Sequence, residues 1–184
     1  RRDVRFRLID KIETPFGGSR GKGIQPRTQE VFESLGVIDR LWAAGGPYPL
    51  QRVYSTDGTF ADSPVMDDQD PSPAEPYLTS LMLPQALTEG VLRGRLLELG
   101  HRPEYGTELT SFDQDADGVT ARLRVAGAET GVRAKYMIAA DGGRSRVRTT
   151  LDVGFPGQTL GVRAIVADLD LTGLSRDVWH RFAS

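Results

Sequence analysis

Three runs between residues 106 and 141 commit this stretch of the chain to antiparallel β-structure. "GTELTSFDQ" is followed by "DADG", "VTARLRV", "AGAETG" and "VRAKYMIAAD". In the middle run Val119, Ala121, Leu123 and Val125 alternate with Thr120, Arg122 and Arg124, the period-2 pattern of a half-buried strand. The Asp-Gly and Ala-Gly stretches between the runs are turn-formers, so the segment reads as a three-stranded meander. The third run predicts a strand over 132–141 that delivers Asp141 to its C-terminal edge. Gly142 and Gly143 follow, and then Arg144, Arg146 and Arg148. Such a junction has two readings. One is a charged turn leading into a helix. The other is an anion site, where glycine lets backbone approach a ligand and arginine supplies charge.

The remainder alternates between helix and strand signals. Val4, Phe6, Leu8 and Ile9 predict a strand ending at Asp10, and 11–23 form a glycine-rich loop. Pro26 opens a helix with Val31, Phe32 and Leu35 on one face, and Gly36 stops it. "VIDRLWAAGG" is a second short helix, and "QRVYSTDGTF" is a hairpin around Asp57-Gly58. Residues 61–76 are an acidic, proline-rich loop, and "YLTSLML" is a strand. "PQALTEGVLRGRLLELG" is a helix bounded by Pro84 and Gly100, with Leu87, Val91, Leu92, Leu96 and Leu99 at helical spacing. "GVRAIVADLDL" is a last alternating strand. The order describes a mixed α/β domain rather than a regular βαβ repeat.

Several classes of function fall away. The 184 residues carry a formal charge of −2, which removes any whole-chain electrostatic case for nucleic acid or an anionic membrane. There is no cysteine, hence no disulfide, thiolate metal site or cysteine nucleophile. That fits a reducing compartment, and a cytoplasmic location is expected. No apolar run approaches the ~20 residues of a membrane span. Gly21-Lys22 is preceded at the phosphate-loop spacing by Phe16, and Gly23 stands where Ser or Thr would hold magnesium, so that motif fails. G-x-G-x-x-G is not found, and Ser145 lacks a G-x-S-x-G setting. His101 and His180 have no ligand spacing around them and read as surface or structural residues; no metal site is expected.

Asp10 at a strand end is a common solvated acid, but in dinucleotide-binding folds an acid there accepts from ribose hydroxyls. Arg20 and Lys22 lie in a loop opening onto a helix start, where they are either merely basic or able to neutralise a pyrophosphate.

In combination these segments resemble the FAD-binding domain of the flavin-dependent aromatic hydroxylases, the group around para-hydroxybenzoate hydroxylase and phenol hydroxylase. The likeness is strongest to members acting on polyketides in antibiotic pathways. It is carried by "RLIDK", "GGSRGKGIQPRTQEVFESLGVIDRLWAAG", "LPQALTEGVLRGRLLELG" and "YMIAADGGRSRVR", in the family's order. The resemblance implies a partial FAD-binding domain, Rossmann-like and of the glutathione-reductase type, over 1–50 and 84–154. It implies the start of a mixed β-sheet substrate domain over 51–83 and 155–184.

By the same resemblance, Asp10 takes the place of the ribose-binding acid and Arg20 lies in the loop that contacts FAD, with Lys22 beside it. Gln85 matches the glutamine at the start of the helix beside the cofactor. Asp141, with Gly142, is the Asp-Gly motif tied to both FAD and NAD(P)H binding, and Arg148 lies where a basic residue is usual. The implied chemistry is NAD(P)H-dependent reduction of FAD, then reaction with O₂ and hydroxylation of an aromatic or polyketide substrate through a flavin hydroperoxide. A Baeyer–Villiger outcome is known in similar proteins. The cofactor carries the hard steps, so no catalytic side chain is assigned. The family's glycine fingerprint and later Gly-Asp motif are missing from the 184 residues. The expectation is an internal piece of a protein more than twice as long. The rivals are a non-catalytic fragment and a related flavin reductase or dehydrogenase that does not use oxygen.

Overall fold

The computed structural model describes residues 4–18, 21–66, 70–167 and 169–182. Contacts divide the chain into two compact units, Arg1–Gly106 with Thr172–Ser184, and Thr107–Leu171.

In the first unit the expected strand over 4–9 is reduced to one bridge. Ile9 pairs in parallel with Glu104, through Glu104 N–H to Leu8 O at 2.8 Å and Asp10 N–H to Glu104 O at 3.0 Å. Val4, Phe6 and Leu8 are exposed, because no described strand covers them. β1 (Gly23–Ile24) leads to α1 (Pro26–Ser34) and α2 (Ile38–Ala44). β2 (Gly46–Pro47), β3 (Leu50–Tyr54), β4 (Phe60–Ser63), β5 (Leu81–Met82) and α3 (Gln85–Glu98) follow. Of "YLTSLML" only β5 is laddered, antiparallel to β1 on one side and β2 on the other.

The helix ends lie where proline and glycine put them. Pro26 occupies the first turn of α1, and Pro84 precedes α3. Gly36 (φ 72°) and Gly100 (φ 78°) each close a Schellman turn: Val37 N–H reaches Phe32 O, and His101 N–H reaches Leu96 O. The buried core joins Ile24, Val37, Leu41, Leu81 and Leu83, with Phe32, Trp42, Val91 and Leu92 packed against it. Val31 and Leu35 lie in the open instead, and α1 buries Gln29. That amide is fully enclosed because its Nε2 donates to two backbone carbonyls, Ile24 O at 3.1 Å and Thr79 O at 2.7 Å.

β3 and β4 form the expected hairpin, and β9 (Val178–Phe182) adds in parallel to β3, pairing Gln51 with Trp179 and Tyr54 with Phe182. Nothing in the sequence reading anticipates β9. Its partner is remote in sequence, and although Val178, Trp179 and Phe182 are strand-formers, five residues are too few to mark a strand alone.

The second unit is the meander. β6 (Thr107–Asp115), β7 (Gly118–Val125) and β8 (Ala128–Ala134) pair in antiparallel order, and α4 (Arg146–Thr150) follows. Here two expectations are corrected. The third strand is 128–134, not 132–141: the turn tightens to Ala126-Gly127, both at positive φ, and β8 begins inside the predicted turn. Residues 135–141 are irregular, with Tyr136 and Ile138 exposed, since β8 runs out opposite the start of β7 and has no further partner there. Residues 161–171 are also irregular over their described part; alternation does not make a strand without a neighbour to complete its hydrogen bonds.

Candidate cofactor site

In the first unit the glycine-rich loop is fastened to the start of α3. Ile24 pairs with Leu81 and Gly23 with Met82. Beyond the strand, Leu83 N–H donates to Lys22 O at 2.9 Å and Gln85 N–H donates to Gly21 O at 3.0 Å. Two segments read separately in the sequence therefore meet, and Lys22 and Gln85 stand at one edge. Space is tight at Gly23, where a Cβ would run into the Tyr48 hydroxyl unless that ring moved. The Lys22 ammonium lies 4.4 Å from the centre of the Trp179 ring, which meets Tyr48 edge-on at 4.8 Å. Arg20 lies outside the described residues.

Asp10 is exposed and accepts the Ile12 N–H on Oδ1 at 3.1 Å, which turns the chain just after the bridge. It rims a cavity of about 270 Å³ lined mainly by apolar groups, among them Leu8, Leu92, Leu96, Pro103 and Tyr105. Glu89 and Arg93 of α3 line the same cavity. Gln85 Nε2 donates to Glu89 Oε1 at 2.7 Å, so Gln85 is joined through Glu89 to the wall of the Asp10 cavity.

In the second unit Asp141 is not at a strand edge. Its carboxylate turns back onto α4: Oδ2 accepts the Val147 N–H at 3.2 Å. A hydrogen bond from the Ser145 hydroxyl, helped by the backbone amides of α4, holds its pKa below the usual carboxylate value. Ser145 is the N-cap, accepting the Arg148 N–H on Oγ at 3.0 Å. The sequence reading missed this role; a serine directly before "RVRTT" was the available signal. Gly142 (φ 74°) makes the reversal. Arg148 Nη1 donates to Gly143 O at 3.0 Å, and its guanidinium lies 4.6 Å from the Phe155 ring centre. Arg146 reaches back to β6, donating to Thr110 O at 3.3 Å and facing Glu108 at 3.6 Å. Asp141, Gly142, Ser145 and Arg148 line an open depression of about 330 Å³.

The two histidines are engaged. The Tyr54 hydroxyl and His180 Nδ1 are 2.8 Å apart, His180 Nε2 is 2.9 Å from Ser175 O, and the His101 ring lies 4.4 Å from that of Phe6. Among the described residues no cluster of potential metal ligands occurs, and no helix is long and apolar enough to cross a membrane.

Residues 1–182 match the FAD binding domain family, and the chain belongs to it. It is 36% identical over 185 residues to a flavin-dependent monooxygenase of Mycobacteroides abscessus, covering 98% of this chain and 39% of that protein. It is 36% identical over 183 residues to 6-methylpretetramide 4-monooxygenase of Streptomyces rimosus, covering 98% of this chain and 32% of that protein. Its fold is similar to that of aklavinone-11 hydroxylase in a ternary complex with FAD and aklavinone. The TM-score is 0.67 at 29% identity, over 81% of this chain and 30% of the other. The chain thus spans about a third of the length of the curated relatives it matches.

Proposed function

We propose that these residues serve an FAD- and NAD(P)H-dependent monooxygenase that hydroxylates an aromatic or polyketide substrate. The observation that carries this reading is the fastening of the Gly21–Lys22 loop to Gln85, next to the Asp10 cavity, in a chain of the FAD binding domain family. The residues fit the cofactor chemically. The Asp10 carboxylate only accepts, as sugar hydroxyls require. The apolar walls formed by Leu8, Leu92, Leu96, Pro103 and Tyr105 suit a planar base. Lys22 supplies positive charge at a loop where Gly17 and Gly21 face open space, with Arg20 beside it in sequence. When bound, FAD supplies the electron transfer and the activation of O₂.

The chain's own residues would bind and orient. Asp10 holds the ribose, and Lys22 and Arg20 neutralise the pyrophosphate. Gln85 contacts the cofactor from the helix start. Asp141, kept ionised by Ser145 and the α4 amides, shapes the turn at which Gly142 and Arg148 meet the nicotinamide and flavin nucleotides. Residues 1–50 and 84–154 are assigned to cofactor binding, and 51–83 and 155–184 to the substrate side. The latter assignment is supported by the sheet that β3 and β4 share with β9, where Tyr54 stacks on Phe182 at 4.6 Å. The partners are a small aromatic substrate and O₂, with no nucleic acid or membrane, in the cytoplasm.

The test is an absorption spectrum of the purified intact protein, followed by NAD(P)H and O₂ consumption with polyphenolic polyketides. Bound flavin and a product carrying one added oxygen are expected. NAD(P)H oxidation that never yields an oxygenated product, with any acceptor, would assign a reductase instead.

A further inference from the structure

Gln85, Glu89 and Arg93 stand one turn apart along one face of α3. Glu89 uses both carboxylate oxygens: Oε1 accepts from Gln85 Nε2 at 2.7 Å, and Oε2 accepts from Arg93 Nη1 at 3.2 Å. All three side chains are half-buried, and Glu89 and Arg93 line the Asp10 cavity. A primary amide has two orientations of similar shape and opposite chemistry. A carboxylate only accepts, so it selects the orientation that turns Nε2 towards it. The carbonyl oxygen of Gln85 is then the atom left to receive a donor. The Gln85 backbone is fixed at the same time by its N–H to Gly21 O.

We propose that Glu89 is a positioning residue of the cofactor site. Clamped by Arg93, it orients the Gln85 amide so that Oε1 is presented to a hydroxyl or N–H donor of the ligand held at the Gly21–Lys22 loop. Arg93 is thereby committed to Glu89, and the charge that meets the pyrophosphate comes from the loop. The inference rests on the FAD reading given above and names a residue that reading does not use.

The experiment measures FAD affinity of the intact protein and the Gln85 side-chain amide resonances of its cofactor-free form, in wild type, Glu89→Leu, Glu89→Gln, Gln85→Met and the Gln85→Met/Glu89→Leu double variant. Loss of a hydrogen bond to a charged partner at this position is expected to weaken FAD binding about tenfold in Glu89→Leu. Glu89→Gln, whose amide oxygen still accepts from Gln85, restores affinity to within about threefold. In the Gln85→Met background Glu89→Leu has no further effect, because its action passes through Gln85. The amide signature shifts in Glu89→Leu and persists in Glu89→Gln. Unchanged affinity in a folded Glu89→Leu protein, additive losses in the double variant, or an amide signature indifferent to position 89 each overturn the proposal. Should Glu89→Leu not fold, a Glu89→Gln protein that has lost the signature or the affinity overturns it equally. A wild type that shows the signature but binds no FAD overturns the cofactor reading itself.

Discussion

The backbone N–H of Gln85 donates to the carbonyl of Gly21 at 3.0 Å, tying the glycine-rich loop to the first residue of α3. This one bond, with the Lys22–Leu83 bond beside it, converts a loop that would otherwise wander into an extension of the β1–β5 ladder. A loop held along one edge can present its side chains without first losing conformational freedom on binding.

The ladder depends on close approach at Gly23. A methyl group there meets the Tyr48 hydroxyl, whereas the ring carbon behind that hydroxyl is at 3.5 Å, an ordinary contact. Gly23→Ala is therefore expected to destabilise the protein by about 1–3 kcal/mol through overpacking. Adding Tyr48→Phe should recover most of the loss. Thermal denaturation of the two variants checks this; an equally unstable double variant would place the cost elsewhere.

Gln29→Met fills the same space without the amide. It leaves the Ile24 and Thr79 carbonyls without the Nε2 donor they share. The expected cost is about 1–3 kcal/mol in urea unfolding. The penalty is reduced to the extent that the Gln29 Oε1 atom, which has no partner among the described residues, is no longer buried.

Ser145→Ala removes the N-cap of α4, at a cost of about 1 kcal/mol. The same change withdraws the hydroxyl that does most to depress the Asp141 pKa. Carbon-detected titration of Asp141 should then show its midpoint moving up towards the ordinary carboxylate value. A depressed folded pKa means that the stabilisation Asp141 gives is complete above the unfolded pKa of ~4 and disappears as pH falls through the folded value. In Ser145→Ala that window narrows.

Asp115 makes the same argument at the other end of the meander. It bridges to Arg133 of β8 at 2.6 Å and accepts the Asp117 N–H at 2.8 Å in the β6–β7 turn. The Arg133 hydrogen bond, then the turn amides, lower its pKa to about 2. Its contribution is present above the unfolded value of ~4 and is lost between there and about 2. Asp115→Asn should flatten the stability profile of the protein across that acid range, measured by denaturant midpoints. A profile identical to wild type would assign the acid sensitivity to other carboxylates.

What each residue could read locally was legible in the sequence. Pro26 and Gly36, Pro84 and Gly100 set the ends of α1 and α3 through backbone terms that need no partner. Asp57-Gly58 and Asp117-Gly118 marked turns for the same reason. The segments that carry the family resemblance were legible as well, because they are short and chemically distinctive.

β-structure was decided elsewhere. Residues 136–140 and 161–171 carry strand-like composition, yet they stay irregular over their described part, since a strand exists only where another completes its hydrogen bonds. The converse holds for Val178–Phe182, a five-residue stretch too short to stand out in the sequence, which becomes a strand by pairing with β3. The candidate site follows the same division. The sequence named Asp10, Lys22, Gln85 and Asp141 by type and order. Tertiary structure decided that Gly21 meets Gln85, that Gln85 is joined to the Asp10 cavity through Glu89, and that Asp141 faces a helix rather than a strand edge. The first depends on hydrogen bonds between residues far apart in the chain, which no local pattern encodes. The other two use short-range bonds, Gln85 to Glu89 and Asp141 to Val147, whose geometry is set by how the chain packs around them.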